Sequence, residues 1–317
     1  MKTLTLRHLT KVSDFTREEC EQIIEYAIKM KADRWNPKYT SKLKNRTLLM
    51  LFAKPSLRTR VSFETGMEQL GGHAIFYSVK DSPLGVKETI EDTTKCASRF
   101  VDMIAARVFK REEIQKIAEN ASVPVINMLD DFAHPCQILC DFQTIKEKKG
   151  SFDGLKLSFY GDCKNNVTYD LMRMCAMFGM KMDVVCPSNP EYAPEQEVIE
   201  ECNTISKETG AEVRVVHDVM EGAKDADVIY ADSWMSYGIP KEEEEKRVKD
   251  LMPYQVNSDV MKAAKPDCVF MNCLPAKRGY EESAEVIDGS QSIVFDQAEN
   301  RLHVQKAIIL FLLGMMD

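Results

Sequence analysis

The 317-residue sequence is short of several things that would assign it to a familiar class. It has no excess of basic residues: 42 Lys and Arg stand against 50 Asp and Glu, a formal charge of −8. A general nucleic-acid binder needs a basic face, so that class is excluded, although a local basic pocket for a small anion is not. No apolar run approaches the roughly 20 residues a membrane helix needs. The longest, AIILFLLGMM near the C-terminus, is about half that and reads as a buried helix. The opening stretch, MKTLTLRHLTKVSDF, lacks the apolar core of a secretory leader, and a cytoplasmic protein is expected. Ten cysteines in a chain this long do not make a disulfide framework, and their neighbours are mostly apolar. Gly-x-Gly-x-x-Gly is missing, as are a GxxxxGK[ST] loop, HExxH and paired CxxC. A dinucleotide site, P-loop phosphoryl transfer and the common zinc sites therefore find no support. His134, Cys136 and Cys140 have no matching second set of ligands, so core packing is the preferred reading and no metal is expected.

What is present is ordinary globular composition, 44% hydrophobic and 29% charged, with length for about two domains at roughly 150 residues each. Helical and strand periods alternate almost throughout. Thr16 with Glu19 forms a capping box before an apolar stripe at Cys20, Ile23, Ile24, Ala27 and Ile28. Residues 47–53 (TLLMLFA) read as a strand buried on both faces, followed by a helix that Gly71-Gly72 ends. Further strands are expected at 74–77, 103–108, 124–127, 155–160, 182–186, 212–216, 228–231, 268–273 and 292–295. Repeated β–α units imply mainly parallel sheets flanked by helices. A break at Lys148-Lys149-Gly150 places two α/β domains, 1–148 and 149–297, with a terminal helix from 298 to 317 returning to the first. The run 241–247 (KEEEEKR) reads as a solvated charge block.

One segment carries chemistry. Phe52-Ala53-Lys54-Pro55-Ser56-Leu57-Arg58-Thr59-Arg60 runs from a buried strand through a proline turn into a helix start near Ser56–Arg60. The first turn of a helix offers N–H groups without helical partners and the positive end of the dipole, a ready anion site. Ser56 and Thr59 add hydroxyl donors, and Arg58 and Arg60 add guanidinium forks suited to phosphate. The alternative is a capped helix whose arginines pair with acids such as Glu64.

This segment contains SxRTRxSFE and resembles the carbamoyl-phosphate motif of the aspartate/ornithine carbamoyltransferase family. The resemblance extends over nearly the whole chain. His134-Pro135-Cys136-Gln137 is similar to HPxQ, and Gly161-Asp162 followed by Asn165-Asn166 to the GDxxNN turn of the ornithine branch. Residues 232–238 (DSWMSYG) resemble DxWxSMG, Asn272-Cys273-Leu274-Pro275 resembles HCLP, and 295–301 (FDQAENR) resembles FxEAENR. Three positions depart from the pattern: Asn272 stands for His, Tyr237 for Met, and Pro83 for the usual Gln or His of a loop that relatives lend to a neighbouring subunit.

The resemblance implies transfer of a carbamoyl group from carbamoyl phosphate to the side-chain amine of L-ornithine, giving L-citrulline and phosphate, with no cofactor. It assigns carbamoyl phosphate to Ser56, Leu57, Arg58, Thr59, Arg107, His134, Gln137, Leu274 and Arg301. Arg107, His134 and Cys273 are the implied catalytic residues, and Asn166, Asp232, Ser236 and Tyr237 the implied ornithine site. It further implies a cis Leu274–Pro275 bond and a homotrimer or a multiple of trimers. Two other readings are a carbamoyltransferase for an amine such as putrescine and a non-catalytic paralogue. Putrescine has no α-groups to occupy Asn166, Asp232 and Ser236, and intact Arg58, Arg107, His134, Cys273 and Arg301 count against the paralogue.

Overall fold

The computed structural model describes residues 6–79, 88–235 and 239–316. Two compact units result: residues 1–147 with 299–317, and residues 148–298. Each is built on one parallel sheet.

In the first unit the strands are β1 (Thr47–Phe52), β2 (His73–Ser78), β3 (Met103–Arg107) and β4 (Val125–Leu129), in the order β2-β1-β3-β4. β3 and most of β4 are buried, as continuous apolar runs in a covered parallel sheet should be. β2 alternates exposed and half-buried, as an edge strand can. The helix Arg17–Ala32 starts where the capping box requires: Glu19 N donates to Thr16 Oγ1 at 3.3 Å and Thr16 N donates to Glu19 Oε2 at 2.9 Å. The helix after β1 spans Leu57–Gln69 with Ser56 as its N-cap, and it ends as Gly71 turns to φ +79°.

The last helix spans Val294–Leu312, starting four residues earlier than the 298 expected. The strand expected at 292–295 is absent, because Ser292 makes a single parallel bridge to Phe270 and helix begins at Val294. From Glu299 onward the helix belongs to the first unit. Val304, Ala307, Ile308, Ile309 and Leu310 are buried there, and Phe311 meets Phe15 edge-on at 5.0 Å. Each such buried Val, Ile or Leu stabilises by about 1.5–3 kcal/mol relative to exposure. The polar side of the same helix is also satisfied: Asn300 bonds Lys31, Gln143, Thr144 and Glu147, and Lys306 Nζ donates to Gln69 at 3.0 Å.

The second unit contains β5 (Lys156–Tyr160), β6 (Lys181–Val185), β7 (Glu212–Val216), β8 (Val228–Ala231) and β9 (Val269–Asn272), in the order β7-β6-β5-β8-β9. β5 and β8 lie side by side although β6 and β7 come between them in the chain, so the winding direction reverses there. In the first unit the same reversal falls between β1 and β3. Open parallel sheets bind ligands outside the carboxyl ends of the strands at such a reversal. Among the described residues, no helix is long and apolar enough to cross a membrane.

Candidate active site

In the first unit, the carboxyl ends of β1 and β3 are neighbours, with Phe52 in register with Arg107 and Ala53 N donating to the Arg107 carbonyl at 2.9 Å. β1 leads into the Leu57–Gln69 helix through Lys54-Pro55-Ser56. Ser56 Oγ accepts from Thr59 N at 3.4 Å, which leaves the hydroxyl proton to be donated elsewhere. Thr59 Oγ1 accepts from Arg301 Nη2 at 3.1 Å and is left with a proton to donate in the same way. Leu57 is 74% exposed, so any contribution it makes to anion binding comes from its backbone N–H. Arg58 is half-buried in the first turn. Arg60 takes the bland role: it pairs with Glu64 at 3.0 Å and lies 3.7 Å over the Phe76 ring.

His134 caps the helix Pro135–Lys149, its carbonyl accepting from Gln137 N and Ile138 N. The approach to it is fixed by Asp130, whose Oδ1 accepts from the backbone N of Phe132 and Ala133, both at 2.6 Å. Arg301 reaches in from the last helix and donates to Gln137 Oε1 at 2.6 Å, while Gln137 Nε2 donates to Asp141 at 2.8 Å. Thr59, Gln137 and Arg301 are therefore one hydrogen-bonded set. Burial first, then Arg301, Arg107 and Lys54, hold the His134 imidazole well below its usual range. It is neutral at pH 7 and can donate one ring N–H without bringing a further charge.

Lys54 lies inside the anion segment, and the resemblance gives it no role. It is 5% exposed, and burial, then Arg107, lowers its pKa to about 8. Its ammonium lies 5.0 Å from the Phe109 ring centroid. The signal was its place between the strand end and Pro55, inside the anion segment. Lys54 and Arg107, both buried at neighbouring strand ends, put two positive charges where a dianion would be stabilised.

In the second unit, the turn after β5 carries Gly161 at φ +108°, and a side chain there would put its Cβ 2.7 Å from Trp234 Nε1. Asn165 caps the helix Asn166–Met177, accepting from Val167 N and Thr168 N at 2.9 Å. Asn166 is half-buried in that first turn. Asp232 follows β8, and Cys273 follows β9, with the Cys273 thiol donating to Asp232 Oδ1 at 3.1 Å. Loss of hydration raises Asp232 to about 6; the thiol bond opposes this, while Glu281 and Asp162 add to it. Leu274 has φ +58° and precedes a cis proline, and its N donates to Asn272 Oδ1 at 2.7 Å. Ser236 and Tyr237 lie outside the described residues, as does the 81–85 loop with Pro83.

The sequence is matched by two family models. One, the carbamoyl-P binding domain of aspartate/ornithine carbamoyltransferase, covers residues 7–147; the other, the Asp/Orn binding domain, covers 153–312. The chain belongs to the aspartate/ornithine carbamoyltransferase family. Ornithine carbamoyltransferase of Thermococcus kodakarensis is 48% identical over 314 residues, 98% of each chain. The structure of Pyrococcus furiosus ornithine carbamoyltransferase superimposes with a TM-score of 0.93 at 45% identity, covering 99% of both chains. An N-acetyl-L-ornithine transcarbamylase structure gives 0.87 at 29% identity, with 97% of this chain and 100% of that one covered.

Four buried charged residues of the second unit, Arg247, Glu281, Glu282 and Asp162, hold bonds that the sequence does not signal. The block at 241–247 is not wholly solvated, because Arg247 on the helix Glu244–Leu251 is 5% exposed and forms an ion pair with Asp162. A buried arginine inside an acidic run carries no periodic signal on so short a helix. Glu282 is fully buried and accepts from Asn272 Nδ2 at 3.1 Å. Among the described residues, no cluster of three or more His, Cys, Asp or Glu side chains is arranged to hold a metal.

Proposed function

We propose that the protein transfers the carbamoyl group of carbamoyl phosphate to the side-chain amine of L-ornithine, giving L-citrulline and phosphate. In this reading the first-turn N–H groups, the Ser56 and Thr59 hydroxyls and Arg58 hold the phosphate. Arg107 and neutral His134 donate to the carbonyl oxygen, and Gln137 Oε1 accepts from the carbamoyl NH2. The neutral amine attacks the carbonyl carbon, charge builds on the oxygen, and the C–O bond to phosphate breaks. Fixed donors aimed at a developing oxyanion are usually the largest catalytic contribution. Arg301 acts on this half of the reaction by orienting Thr59 and Gln137.

The observation that carries the choice of second substrate is the Asp232–Cys273 contact at 3.1 Å. A carboxylate that can pair with an α-ammonium sits against a thiol that can bond an incoming amine. Asn166, with Ser236 and Tyr237, completes the α-group site in this proposal. Putrescine lacks those α-groups and would leave the site's polar atoms unpaired, which costs large factors in rate. The test is an initial-rate panel at saturating carbamoyl phosphate. Ornithine should exceed putrescine by at least about a hundredfold in kcat/KM, or roughly 3 kcal/mol. Equal turnover of putrescine or N-acetylornithine would overturn the assignment.

We also propose a homotrimer or a multiple of trimers in the cytoplasm. The family resemblance supports the first, and ten cysteines with no disulfide among them fit a reducing compartment. Light scattering that finds a fully active monomer would exclude the trimer.

A further inference from the structure

We propose that Trp234 is held by a three-way brace, and that Arg247 and Glu281 are positioning residues that set ornithine affinity through it. The proposal rests on the ornithine reading given above. Trp234 lies two residues after Asp232 and is 1% exposed. Both polar groups of its backbone are held by charged side chains that are themselves buried. Its N–H donates to Glu281 Oε1 at 3.0 Å, and its carbonyl accepts from Arg247 Nε at 2.8 Å. Arg247 and Glu281 are 5% and 4% exposed.

Each clamp has a second end on another segment of the candidate site. Arg247 Nη2 is ion-paired with Asp162, in the turn that leads to Asn166. Glu281 Oε2 accepts from Lys277 N at 3.1 Å, in the loop that follows Cys273. The indole closes the third side, packed so tightly on Gly161 that no Cβ fits between. Arg247 is in turn held over the Tyr192 ring at 5.2 Å, and Tyr192 Oη donates to Asp250 at 3.0 Å. Thus the turn after β5, the loop after β8 and the loop after β9 converge on one residue, Trp234. Asp232, Asn166 and Cys273 each sit on one of them. A charge-assisted bond is about twice as strong as a neutral one, so these two side chains dominate the joint.

The arrangement also has an electrostatic consequence. Asp232 faces Cys273, Glu281, Asp162 and Glu282, and Glu281 and Asp162 both oppose its ionisation. Glu281→Gln keeps one of the two bonds and removes a charge. It should lower the pH at which Asp232 ionises and move the acid limb of kcat/KM for ornithine downward. A residue that merely supported the fold would not shift that limb.

The experiment uses the full-length protein with Trp35→Phe, which removes the exposed indole and leaves Trp234 as the only tryptophan. In that background Arg247→Met should red-shift the emission. It should raise KM for ornithine by about tenfold or more while KM for carbamoyl phosphate stays within about twofold. Arg247→Lys, able to reach one acceptor and keeping the charge, should recover part of both effects. Unchanged emission with unchanged ornithine KM overturns the brace, and so does a parallel rise in both KM values. An acid limb that stays put in Glu281→Gln removes Glu281 from the proposal. If the unmodified protein makes no citrulline, the substrate reading fails, and the emission shift alone then decides the brace.

Discussion

Lys54 sits where β1 ends, buried, with its pKa lowered to about 8 chiefly by lost hydration and then by Arg107. A dianion placed among Lys54, Arg58 and Arg107 reverses that balance, because an opposite charge at close range favours the ammonium. Carbamoyl phosphate binding at pH 8.5 should therefore take up a proton from buffer. Calorimetry in buffers of different ionisation enthalpy measures this directly, and Lys54→Met should abolish the uptake. Asp232 presents the opposite case. With its pKa raised to about 6, it is protonated below that pH and cannot pair with an α-ammonium. The profile of kcat/KM for ornithine reports the free enzyme's essential groups, so it should break near pH 6. Asp232→Asn should erase that break and most of the preference over putrescine. Most motif residues are legible because they lie at a strand end or helix start that the sequence marks; Arg301, two turns into the last helix, is legible only through its motif. The perturbations are not legible, because desolvation depends on neighbours far along the chain, as His134 with Arg301 shows.

At the level of elements, the sheet strands and the capped helices could be read because local pattern and tertiary environment agree. Thr16 with Glu19 and Ser56 with Thr59 are local devices, and β3 is apolar because both faces are covered. The strand expected at 292–295 failed for a physical reason: a short apolar run does not distinguish a strand from a helix start, and here the Phe270 bridge uses only Ser292 before the helix takes over. Arg247 shows the same limit on a charged run, its environment being made by Asp162, Tyr192 and Trp234 from distant segments. The turn after β5 depends on one such distant contact. Gly161 combines φ +108° with a Cβ position 2.7 Å from Trp234 Nε1. Gly161→Ala must strain the turn or displace the indole, a cost of about 1–3 kcal/mol. Urea unfolding should show the lost stability, and the ornithine KM should rise with it. A variant as stable and as active as the parent would mean that the turn and indole yield freely.

For the whole molecule, buried titratable groups set how stability varies with pH, and their windows differ enough to be separated. Burial holds His303 down to about 4, so between about 4 and 6.5 the unfolded chain binds more protons and stability rises with pH. Lys54 and Lys306, both lowered to about 8, act in the same direction from about 8 to 10.5. Glu282 opposes them. Burial, then Glu281, raises it to about 8, against an ordinary value of 4.5, so the folded state binds the extra proton between those limits. Stability from this group is fully present below pH 4.5 and is lost as pH climbs through 8. Asp232 adds a similar loss only up to about 6. Between about 6.5 and 8, Glu282 is left as the main carrier of the slope, at up to about 1.4 kcal/mol per pH unit. Chemical unfolding of the unmodified protein should therefore weaken across that interval. Glu282→Gln keeps an acceptor for Asn272 and cannot ionise, so its stability should stay level there and overtake the parent by pH 8. If parent and variant run parallel from 6.5 to 8, Glu282 is not protonated in the folded protein.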